Sequence, residues 1–116
     1  MQSKIDERNE SMKILIVCGA GASSAFVAHR LRGTGKERGL SVTVVAGSES
    51  DLPSSLDGVD VLLVGPHLAP RFERIKAQAR KAGVGVALLP ESVFTARDGV
   101  VALDLAVDAQ HERSWV

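Results

Sequence analysis

The chain has no tyrosine, one tryptophan, three phenylalanines and one cysteine in 116 residues. So few aromatics (Phe26, Phe72, Phe94 and Trp115) leave little from which to build stacking platforms for single-stranded nucleic acid. Charge of one sign is missing too. Fourteen basic residues balance fourteen acidic ones, so no broad attraction to nucleic acid or anionic membrane is expected. A lone cysteine excludes an internal disulfide framework, makes a cysteine-based zinc site improbable and fits a reduced, cytoplasmic setting. No apolar run approaches the ~20 residues that span a bilayer, so no direct membrane insertion is expected. The polar start, Met1 to Glu10, is unlike a secretion signal.

What is present is a core. Hydrophobic residues make up 45% of the chain, enough for one compact domain of this length. We read residues 1–11 as a disordered extension and 12–113 as a single domain. Lys13 to Cys18 reads as a strand apolar on both faces, as inside a parallel sheet. A helix is expected over Ser23 to about Arg38, with Ala22, Phe26, Val27 and Leu31 inward and Gly39 as its stop. Ser41 to Ala46 is a β-branched second strand. Gly47 to Gly58 is a turn-rich linker, and Val59 to Gly65 a third strand. Leu68, Phe72, Ile75, Ala79 and Ala82 recur at helical period and predict a helix over Leu68 to Ala82, ended by Gly83. Val84 to Leu89 is a fourth strand, and a last helix starts at Gly99 with Leu103 and Val107 inward. This βαββαβα order predicts a parallel four-stranded sheet. With strand order 2-1-3-4, right-handed crossovers place the first and last helices on one face and the middle helix on the other. Ligands in such sheets bind beyond the carboxyl ends of the strands where the order reverses, here at Cys18–Ser24 and Gly65–Pro70.

Cys18 stands where the first strand meets a glycine-rich turn. Small residues let backbone N–H groups approach a phosphate, and Gly19, Ala20, Gly21 and Ala22 are all small. Ser23 and Ser24 can cap the helix and donate to phosphate oxygens. A thiol at a helix N-terminus is expected to ionise below the free-thiol value of about 8.5. The contrasting reading is an inert buried thiol at a strand end. A cysteine phosphatase with a C-x5-R loop is disfavoured, because Ser24 occupies the arginine position. A dinucleotide fingerprint is only half matched, since serine replaces the third glycine and the second strand lacks an acid at its tip. A phosphocysteine carrier remains. His67, after Gly65-Pro66, either projects toward the same site or is an exposed loop histidine. His29 and His111 read as surface residues. No spacing suggests a metal site.

Three segments resemble one family. Lys13-Ile14-Leu15-Ile16-Val17-Cys18-Gly19-Ala20-Gly21-Ala22-Ser23-Ser24 is similar to the opening of IIB components of the bacterial phosphoenolpyruvate-dependent sugar phosphotransferase system, lactose/cellobiose class. Leu62-Leu63-Val64-Gly65-Pro66-His67 resembles that family's apolar strand followed by Gly-Pro-Gln, with His67 in place of glutamine. Phe94 to Asp98-Gly99 resembles its late aromatic and Asp-Gly turn. The resemblance, over residues 12–110, implies an α/β three-layer sandwich of flavodoxin-like or phosphatase-loop-like form, with an open four-stranded parallel sheet. It implies that Cys18 accepts phosphate from a IIA phosphohistidine within a loop formed by Gly19 to Ser24. The phosphate would then pass to a sugar bound by the IIC membrane permease. No organic cofactor is implied. A non-catalytic regulatory or binding module of the same fold is the alternative.

Overall fold

The structure is a computed structural model and describes residues 11–18, 21–52 and 54–112. Four strands and three helices alternate: β1 (Ser11–Cys18), α1 (Gly21–Glu37), β2 (Ser41–Ser48), β3 (Val61–Val64), α2 (Phe72–Lys81), β4 (Gly85–Leu88) and α3 (Val100–Glu112). All pairings are parallel and the order is β2-β1-β3-β4, the order anticipated for the sheet. β1 begins at Ser11, which pairs with Ser41, so Ser11 belongs to the sheet and not to the expected extension. Residues 1–10 lie outside the described residues.

Alternation along β1 sorts its side chains between two cores. Met12, Ile14, Ile16 and Cys18 join Val27, Ala28 and Leu31 of α1 and Ala102, Leu103 and Ala106 of α3. Leu15 and Val17 join Leu62, Val64, Leu68, Ile75 and Ala79 on the α2 side. β1 and β3 are thus covered on both faces, which explains their unbroken apolar runs. Each aliphatic side chain so buried contributes roughly 1.5–3 kcal/mol.

Several expected details differ. The middle helix does not run from Leu68. Pro66–Arg71 is a 3-10 segment, and the α-helix begins only at Phe72. The Phe72 N–H donates to the Ala69 carbonyl three residues back, so this turn is wound as 3-10, and Pro70, with no N–H to donate, fits within it. Ala82 is exposed, outside the buried stripe. Phe26 is 41% exposed, whereas Val27, Ala28 and Leu31 form the inner face of α1. The helix stops at Gly39 and Gly83 are as expected, both with positive φ (73° and 74°). β2 runs past the expected end at Ala46 through Gly47 and Ser48, and the linker after it carries two 3-10 turns, Glu49–Asp51 and Ser54–Leu56.

α3 is fastened to α1 by one buried polar contact. The Gly99 N–H donates to Thr34 Oγ1 at 2.8 Å, and Thr34 is 4% exposed. The Val100 N–H donates to Asp98 Oδ1 at 3.1 Å. Two otherwise unpaired donors at the start of α3 are thereby satisfied. Thr34→Val keeps the shape and removes the acceptor. It should cost about 1–3 kcal/mol in urea unfolding, with Thr34→Ser restoring most of the loss. An unchanged midpoint in Thr34→Val would show that the contact carries no stability.

Candidate functional site

The carboxyl ends of β1 and β3 meet at Cys18 and Gly65. The Gly65 N–H donates to the Val17 carbonyl at 2.8 Å, extending the ladder one residue past β3. Cys18 points onto the α1/α3 face and is 1% exposed. Gly65 lies close against it. A Cβ placed there would stand 2.8 Å from Cys18 Sγ and 3.2 Å from both its Cα and Cβ. The Gly65 backbone is ordinary, at φ −66° and ψ 153°, so space and not conformation demands glycine.

Beyond Cys18 the chain turns within two residues into α1. Gly19 and Ala20 of the expected phosphate loop lie outside the described residues. Of Gly21, Ala22, Ser23 and Ser24 the structure describes the backbone, which forms the first turn of α1. The N–H groups of a first helical turn have no intrahelical acceptors. No acidic residue stands in that turn to compete for them. The site thus has a sulfur at a strand end and a helix N-terminus directly after it.

The ionisation of that sulfur differs from expectation. Burial pushes the Cys18 thiol above its ordinary value, where proximity to the helix had suggested a lower one. A thiolate loses its hydration in an apolar environment, and here that loss is the cause of the shift. At neutral pH the resting side chain is therefore a thiol.

His67 is exposed at the start of the Pro66–Arg71 segment, and its ring meets Phe94 at 5.9 Å between centroids, tilted by 49°. Phe94 belongs to the 3-10 turn Glu91–Phe94 that follows β4. The loops after β3 and β4 therefore touch over the carboxyl edge of the sheet. Arg30 makes a second tie. It donates to the Ala96 carbonyl and lies 4.6 Å over the Phe26 ring, linking α1 to the same loop. On the other flank, Arg71 Nε donates to Glu49 Oε2 at 2.8 Å, and Arg74 lies 3.8 Å from the same oxygen. The Arg71 hydrogen bond holds the Glu49 carboxyl below the usual carboxylate range. A cleft of about 260 Å³ lies farther along α1, between His29, Arg30 and Thr34 on one side and Arg97 and Asp98 on the other. It does not open over Cys18.

Sequence reasoning placed Cys18 and the Gly65-Pro66-His67 turn at one edge. It did not foresee the Gly65–Cys18 contact or the Arg30 and Glu49 ties. These depend on how close the strand ends come and on side chains far apart in sequence. The only signal in the chain was the Gly-Pro pair itself.

Comparison with known proteins bears on this edge. The family model described as "PTS system, Lactose/Cellobiose specific IIB subunit" matches residues 13–99. A lactose-specific EIICB component of Streptococcus mutans is 29% identical over 96 residues, covering 81% of this chain and 17% of that protein. Its Staphylococcus haemolyticus counterpart is 27% identical over 107 residues, covering 90% of this chain and 18% of that protein. The chain thus spans less than a fifth of these relatives. The solution structure of a cellobiose-specific phosphotransferase IIB component from Borrelia burgdorferi superposes with a TM-score of 0.71 at 27% identity, covering 89% of this chain and 94% of that one. A lactose-specific IIB domain from Streptococcus pneumoniae shares the fold, with a TM-score of 0.58 at 15% identity, covering 90% of this chain and 93% of that one.

The raised thiol pKa predicts slow alkylation at neutral pH. An iodoacetamide rate profile on the folded protein should have its midpoint above the free-thiol value of about 8.5, and urea should return it to that value. A folded-state midpoint below 8.5 would contradict the buried, protonated sulfur.

Proposed function

Because the chain belongs to the lactose/cellobiose-specific IIB family of the sugar phosphotransferase system, we propose that it carries a phosphoryl group on Cys18, from a IIA phosphohistidine to a sugar held by a IIC permease. The observation that carries this reading is the sulfur at the end of β1, followed within two residues by the acid-free N-terminal turn of α1. A phosphoryl group on that sulfur would be dianionic near neutral pH and would meet unpaired N–H donors and the positive end of the helix. Gly19, Ala20, Gly21 and Ala22 leave the backbone open to it, and Ser23 and Ser24 supply hydroxyls. No lysine or arginine stands between Cys18 and Ala28. Neutral donors hold phosphate less tightly than a guanidinium fork would, which suits a carrier that must release its load.

The transfer balances as two displacements. Sulfur attacks phosphorus, the S–P bond forms, and the N–P bond of the donor breaks with its electron pair retained by the imidazole. The thiol proton leaves as sulfur attacks. His67 stands on the neighbouring loop as an accessory group that can receive this proton or hydrogen-bond the phosphoryl oxygens. In the second step a sugar hydroxyl attacks phosphorus, the S–P bond breaks with its pair on sulfur, and the hydroxyl proton is released. Positioning and electrostatic stabilisation by main-chain donors carry both steps, with no organic cofactor.

This reading places the domain at the cytoplasmic side of the permease. No helix among the described residues is long and apolar enough to cross a membrane.

Cys18→Ser should abolish transfer from a phosphorylated IIA donor while leaving far-UV circular dichroism unchanged. In the wild type the acquired phosphate should be stable to acid and released by iodine. His67→Gln should keep transfer, because the glutamine amide can still hydrogen-bond the phosphoryl oxygens, whereas His67→Ala should slow it. Sugar phosphorylation by Cys18→Ser at the wild-type rate would refute the assignment.

A further inference from the structure

We infer that Gly65 is a positioning residue for the transfer, the wall that fixes where the Cys18 sulfur sits and in which direction its bond to phosphorus points. The inference rests on Cys18 as the phosphoryl acceptor and adds to that reading a residue with no functional group of its own. The argument begins with how firmly Gly65 is held. Its N–H is bound to the Val17 carbonyl at 2.8 Å, and its own carbonyl accepts from the Leu68 N–H at 3.0 Å. Pro66 follows, and a residue before proline is confined to extended conformations, which Gly65 adopts. Gly65 therefore cannot retreat from its neighbour without breaking the β1–β3 ladder or the turn after it. Cys18, one residue past Val17 on the adjacent strand, must adapt to Gly65.

The space between them decides the rest. A methyl group at Gly65 would lie 2.8 Å from Sγ and 3.2 Å from Cα and Cβ of Cys18, well inside van der Waals contact. The glycine lets the sulfur rest against the β3 backbone. That backbone closes the β3 side of the sulfur. An S–P bond is then directed away from Gly65, and the entering or leaving atom lies beyond phosphorus on that line. Backbone geometry does not explain the glycine, since φ of −66° suits any residue.

Gly65→Ala tests this with two readouts. A methyl group there pushes the sulfur outward from its apolar seat, so the alkylation midpoint of Cys18 should fall and alkylation at pH 7.5 should quicken by at least about five-fold. Turnover from a phosphorylated IIA donor should fall by at least about ten-fold, with the KM for the donor little changed, because a misplaced reacting atom costs on the order of 10²-fold in rate. Gly33→Ala is the control: a Cβ there meets nothing within 4 Å, and both readouts should match the wild type. An unchanged alkylation profile and unchanged turnover in folded Gly65→Ala would overturn the inference. If Gly65→Ala does not fold, the wild type decides. Its Gly65 amide resonance should titrate with the Cys18 thiol, at the midpoint of the alkylation profile, and a flat titration would overturn the inference. The alkylation and resonance arms need no donor, so a wild type that takes no phosphate would sink the carrier reading and leave Gly65 to be judged on the sulfur alone.

Discussion

The structure turns on the contact between the carboxyl ends of β1 and β3. One hydrogen bond, from the Gly65 N–H to the Val17 carbonyl, carries the ladder past the last residue of β3. It brings the loop after β3 against the residue at which β1 becomes a turn. The two central strands are buried on both faces, so this junction cannot slide without shifting Leu15, Val17, Leu62 and Val64 in one core and Ile14, Ile16 and Leu63 in the other. A rigid pair of strands thus presents a sulfur and a helix N-terminus at the point where the strand order reverses. The surrounding ties, Arg30 to Ala96 and Glu49 to Arg71, fasten outer loops to this centre without entering it.

Burial of the sulfur changes what the chemistry must accomplish. A helix N-terminus favours the anion, whereas burial in the apolar seat of Cys18 raises the thiol's pKa. The thiol is kept protonated and sheltered from solvent electrophiles. A carrier that idles as a thiol resists adventitious oxidation, because the thiolate is the reactive form.

Much of this could be read from the chain itself. Alternating elements predicted the parallel sheet, the anticipated order β2-β1-β3-β4 is the one found, and the glycines at 39 and 83 marked true helix ends. The middle helix was expected from Leu68 because periodicity alone does not separate a 3-10 turn from an α turn, and Leu68 keeps its inward place through a 3-10 segment. Phe26 was assigned inward, but the helix turns Val27 and Ala28 to the sheet and leaves Phe26 to stack under Arg30. Cys18 and the Gly65-Pro66 turn were visible as motifs. Their separation was not, since it depends on the spacing of two strands about fifty residues apart. The ionisation of Cys18 was misread for a related reason: the strand's alternation sets the direction of the side chain, and that direction is into the core.

The most direct test of the carrier reading is phosphorus NMR on the wild-type protein after incubation with a phosphorylated IIA donor. A single resonance in the thiophosphate range, abolished by iodine and absent from Cys18→Ser, is the expected result. A resonance in the phosphohistidine or phosphoserine range, or none, would contradict it.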